Sequence, residues 1–87
     1  NDSERSLEDF TTFITIQLSV ARLYGKLNPN NDFQAFKVNL VKSLKIYQDT
    51  EKRLKESKFT KGNYALEEQL MICQEMVSLL PVKIDQI

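Results

Sequence analysis

The stretch ITIQLSV, residues 14–20, alternates apolar and polar side chains, the pattern of a strand with one face in a core and the other in water. Laid out at about 100° per residue, the same residues fall into a longer helical pattern. With Phe10 at the origin, Glu8, Thr11, Thr12, Thr15, Ser19, Arg22 and Lys26 share an arc from about 100° to 200°. Leu7, Phe10, Phe13, Ile14, Ile16, Leu18, Val20, Ala21, Leu23 and Tyr24 occupy the remaining 220° or so, with Gln17 in their midst. The strand accounts for ITIQLSV alone and the helix for about twenty residues. Thr, Ile and Val each weaken a helix by only tenths of a kcal/mol, whereas burying an apolar face contributes several. A helix over about residues 6–24 follows, with Ser6 and Asp9 as a partial cap and Gly25 at its end.

Two breaks then divide the chain. In residues 25–32, GKLNPNND, a glycine ends one helix, Pro29 prevents its continuation, and Asn31 with Gln34 three positions on resembles a capping box for the next. In residues 59–63, FTKGN, the chain turns again, and Glu67 and Glu68 then place negative charge at the start of a third helix, where the helix dipole favours it. Leu80-Pro81 is expected to close that helix. The fold predicted is all-α, an antiparallel three-helix bundle with helices at about 6–24, 32–58 and 63–80. Its C-terminal tail, with Val82, Ile84 and Ile87, should pack back on the bundle or continue. Residues 1–87 make a single helical domain, and a start at Asn1 without methionine suggests a piece of a longer or processed protein.

The middle helix carries Phe33, Phe36, Leu40, Leu44, Tyr47 and Leu54 along one stripe, with Ser43 and Glu51 on the same line. Its second half, QDTEKRLKESK, should be solvated, with Asp49–Arg53 and Glu51–Lys55 spaced as acid-first ion pairs. As the longest of the three, it should project about two turns past the first helix. Leu54, Phe59, Tyr64 and Leu66 would then line a groove suited to an amphipathic helix. The third helix places Leu66, Leu70, Cys73, Val77 and Leu80 on one face.

Composition removes several chemistries. Twelve basic and twelve acidic residues cancel, so no global field draws the chain to nucleic acid or anionic lipid. Histidine is absent and Cys73 is the lone cysteine, which excludes Ser-His and Cys-His pairs, multi-thiolate metal sites and an internal disulfide. Lysine, tyrosine and carboxylates remain, with no convergent set, and no metal or cofactor is expected. Glu67 and Glu68, adjacent on a helix, point about 100° apart and do not form a catalytic pair. The longest uncharged run, residues 10–21, is interrupted by Thr, Gln and Ser and is shorter than the roughly 20 apolar residues of a membrane span. With an unpaired cysteine and no signal peptide in the sequence, an intracellular, cytoplasmic location is expected.

Lys61-Gly62-Asn63-Tyr64, ahead of an amphipathic helix that reaches Leu80-Pro81, resembles the turn and second helix of tetratricopeptide and microtubule-interacting-and-trafficking modules. The resemblance spans about twenty residues. Glu67 and Glu68 stand where those families place a small residue, so it implies a shared local form and no family.

The opening helix has more apolar circumference than two neighbours cover, since a surface helix needs a stripe of a little over 100°. Phe13, Ile16, Gln17 and Val20 are therefore candidate partner contacts, together with Leu54, Phe59, Tyr64 and Leu66. The function expected is a non-enzymatic interaction module of a scaffold, adaptor or regulatory protein, taking a partner's amphipathic helix or a second copy of the chain. A small stand-alone inhibitor, immunity or chaperone-type protein is an alternative. Another is a nucleic-acid-binding domain using Lys52, Arg53, Lys55, Lys58 and Lys61, although these alternate with Asp49, Glu51 and Glu56 as on an ordinary solvated face. Cys73, on an apolar face without adjacent positive charge, reads as a buried small hydrophobe.

Overall fold

The backbone of residues 2–87 is described by a computed structural model, with side chains described from residue 6 onward apart from Pro29. Three helices, α1 (Asp2–Lys26), α2 (Phe33–Glu56) and α3 (Tyr64–Asp85), follow in order, with a single 3-10 turn (Pro29–Asn31) before α2. The all-α, three-helix reading holds. Residues 14–20 lie inside α1, where burial of Ile14 and Leu18 outweighs their β-prone composition, and the Thr and Ser hydroxyls of the polar arc find partners within the helix. Thr11 donates to the Leu7 carbonyl at 2.8 Å, Thr15 to Thr11 at 2.9 Å and Ser19 to Thr15 at 3.0 Å, each one turn back. The polar arc thus satisfies itself along the helix, and the apolar arc is free to pack.

The helix ends depart from expectation in four places. First, α1 begins at Asp2, so Ser6 lies within the helix, and α1 matches α2 in length. The projecting end of α2 is consequently missing. Second, α1 runs through Gly25 to Lys26, and chain reversal falls to Asn30 and Asn31, both with left-handed backbones (φ 54 and 55), which asparagine tolerates better than most residues. Third, because Asn31 is used in that way, the N-cap of α2 is Asp32, whose carboxylate accepts from the Gln34 and Ala35 amides at 2.9 and 3.2 Å. Fourth, α3 continues through Pro81 to Asp85. Pro81 removes one hydrogen bond, to the Val77 carbonyl, but Ile84, a turn later, is half-buried against the core. At the other end of α3, Gly62 turns the chain at φ 81 and Asn63 caps by accepting from the Leu66 amide at 3.2 Å.

The layers are α1 on α2 and α2 on α3, with the backbones of α1 and α3 hardly meeting. The α1–α2 pair is antiparallel: Leu27 accepts from Asn39, Tyr24 lies under Lys42, and Phe13 lies under Arg53. The result is elongated and flat, 49 × 21 × 15 Å. Its core consists of Ile14, Leu18 and Ala21 of α1, Leu40, Tyr47 and Leu54 of α2, and Leu66, Cys73 and Leu80 of α3. Ser43 and Thr50 complete the α2 stripe at alternating steps of three and four. Between α1 and α2, the buried Ser43 hydroxyl donates to the Ala21 carbonyl at 2.7 Å, and a Cβ built on Gly25 would lie 3.7 Å from the Ser43 Oγ.

Candidate functional site: the seam between α1 and α2

Phe13, Ile16, Val20, Leu23 and Leu27 recur along α1 and its exit at steps of three, four, three and four, on a face well away from the Ile14–Leu18–Ala21 core stripe. Most of this second stripe is open. Phe13 is 37% exposed, Ile16 54% and Leu23 61%, while Val20 and the neighbouring Gln17 are half-buried. On the side of α2 opposite its buried stripe, Val38 and Val41 are exposed as well, flanked by Lys37 and Lys42 around an apolar depression. That depression is lined by α2 residues alone, so the continuous apolar strip is the one on α1.

Cations border that strip. The Arg53 guanidinium stands over the Phe13 ring at 5.0 Å and the Lys42 ammonium over Tyr24 at 5.7 Å, positions favoured by the negative face of an aromatic ring. The expected Asp49–Arg53 pair is absent; among the described residues the one ion pair within 4.0 Å is Lys55–Glu51 at 2.9 Å. Over the whole of α2, six basic residues face three acidic ones, whereas α3 has four acidic and one basic.

The expected groove around Leu54 and Leu66 is filled by the chain itself. Both side chains are fully buried. Phe59 is half-buried against Phe10, ring centroids 5.8 Å apart, with the Lys58 ammonium above it. Tyr64, at 80% exposure, stands alone at the start of α3. The physical reason is that Phe10 of α1 packs on Phe59 and, with Leu7, against the core cluster, which covers the end of α2 that was expected to project. Lys52, Arg53, Lys55, Lys58 and Lys61 are all exposed, but Lys55 is paired, Lys58 is over Phe59 and Arg53 is at the seam, so the structure divides them.

Leu23, Leu27, Val38 and Val41 were not among the sequence candidates, although the alternating three and four steps from Phe13 to Leu27 carry the signal for two of them. Val38 and Val41 give no such signal, because they lie off the main α2 stripe. Cys73 is buried and its thiol pushed up to about 11, chiefly by burial and next by the Glu51 carboxylate; it is a packing residue. Among the described residues, no three His, Cys, Asp or Glu side chains are grouped to hold a metal, and no helix is long and apolar enough to cross a membrane.

A family model described as KIF-1 binding protein C terminal matches residues 3–87. No curated protein and no solved structure matches the chain.

Proposed function

The chain belongs to the KIF-1 binding protein C-terminal family, and from that membership we propose that it is a non-enzymatic, adaptor-type interaction unit whose α1–α2 seam receives a protein partner. The carrying observation is the exposed stripe of Phe13, Ile16 and Leu23 on α1, with Arg53 and Lys42 of α2 along its border, since an exposed apolar surface of this kind marks an interaction site. Burial of that strip supplies affinity, and the bordering Lys42 and Arg53 set approach and register. The family name makes a KIF-1 protein the first partner to test.

Ile16→Asp removes apolar surface from the strip and introduces a charge where a partner would have to desolvate it. Ile16 is half exposed, so the variant should retain its helicity by circular dichroism. In titration calorimetry against a KIF-1 protein, affinity should fall at least about tenfold. Equal binding by the wild type and by Ile16→Asp would remove the seam from the interface. A steep salt dependence with duplex DNA as ligand would instead favour the nucleic-acid reading of the basic residues.

A further inference from the structure

The outer face of α3 has the complementary character. Met71, Ile72, Leu79 and Val82 are exposed there, and Glu68 and Glu75 fall among them at helical spacing, on the side turned away from the Leu66–Cys73–Leu80 core. Two open apolar strips thus exist on one small molecule. One is bordered by Lys42 and Arg53, which lack carboxylate partners among the described residues, and the other is interspersed with Glu68 and Glu75, which lack cationic ones.

We propose that the seam of one copy receives α3 of a second copy, in a head-to-tail contact with Glu68 and Glu75 set against Lys42 and Arg53. The proposal deepens the reading of the seam as a protein-binding surface and names one occupant for it. Like-for-like pairing of two seams would bring cations together, and pairing of two α3 faces would bring carboxylates together; only the crossed pairing satisfies both charge and apolar surface. Each copy brings both strips, so the contact either closes reciprocally between two copies or leaves a free strip at each end for further addition, and in both cases association grows with concentration. Four or five apolar side chains a side place the contact near the lower limit for specific interfaces, about 1,000 Å² in total, and association is correspondingly weak.

Sedimentation equilibrium of the full 87-residue chain alone tests this. The weight-average mass should rise with concentration, and less so in high salt. Lys42→Glu/Arg53→Glu reverses the seam and Glu68→Lys/Glu75→Lys reverses α3; all four sites are exposed, and circular dichroism verifies that both variants stay helical. Each variant alone should be monomeric, because its two faces now carry the same sign. Mixing the two should restore association, since each supplies the face that the other needs. A wild type that stays monomeric at every concentration, variants that associate as the wild type does, or a mixture that stays monomeric would each overturn the proposal. Because no partner protein is present, such a failure leaves the heterotypic reading of the seam standing, and loss of KIF-1 binding would leave this one standing.

Discussion

Ser43 closes the α1–α2 crossing with a hydroxyl bound to the Ala21 carbonyl, and Gly25 sits one turn further along against the Ser43 Oγ. Gly25 has an ordinary helical backbone and space for a methyl group in normal contact. Gly25→Ala should therefore raise the denaturant midpoint, by about 0.5–1 kcal/mol of stability, through the restricted freedom of the unfolded chain. Ser43→Leu should lower it by about 1–3 kcal/mol by overfilling the crossing. In sequence, Gly25 beside Pro29 and the asparagines reads as a terminator; the neighbour that explains it lies on another helix, beyond the reach of local spacing. Cys73 makes a different prediction. Its thiol is held neutral in the folded state up to about 11 against an ordinary 9.0, and the buried Tyr47 phenol is also raised, by burial, against a smaller opposing effect of Arg22. An acid raised on folding gives stability that is complete below its unfolded value and lost as pH climbs through its folded one. Denaturation midpoints should accordingly be flat with respect to these two groups up to about pH 9, fall between about 9 and 11 through Cys73 and continue to fall above 10 through Tyr47, with Cys73→Ala weakening the earlier part of the fall.

Among the elements, α3 diverges most from its sequence pattern. Leu80-Pro81 has the form of a helix stop, yet α3 runs on to Asp85 and Gln86 still donates to Val82. Pro81 stays in the helix because Ile84 gains cover beyond it, a tertiary contribution that a local rule omits. Pro81→Ala should restore the hydrogen bond to Val77 and raise stability by roughly 1–3 kcal/mol, read from chemical denaturation, with unchanged or greater helicity. For α1 the sequence was more informative: its polar arc, from Glu8 to Lys26, is the face on which Thr11, Thr15 and Ser19 bond back along the helix. The start of α1 is obscured because Ser6 and Asp9 imitate a cap in sequence, and the cover over Leu54 and Leu66 is obscured because the packing of Phe10 on Phe59 joins residues far apart in the chain.

At the scale of the whole molecule, the excess apolar circumference of α1 was legible and is the exposed Phe13–Leu27 stripe, while the exposure of Val38 and Val41 was not, since they fall outside the one stripe that spacing picks out on α2. The arrangement with α2 between two helices that hardly meet has a mechanical consequence. Each outer helix packs its backbone on α2 while α1 and α3 meet only through side chains such as Ala21, Met76 and Leu80, so α2 should serve as the pin of a double hinge about which α1 opens with less effect on α3. Hydrogen exchange should then show the slowest amides in α2. Ile14→Ala, which opens a cavity on the α1 side of the pin, should accelerate exchange in α1 far more than in α3, and equal acceleration in both would mean that the helices open as one unit. A partner bound at the seam would fasten one leaf of that hinge and leave the other free to swing.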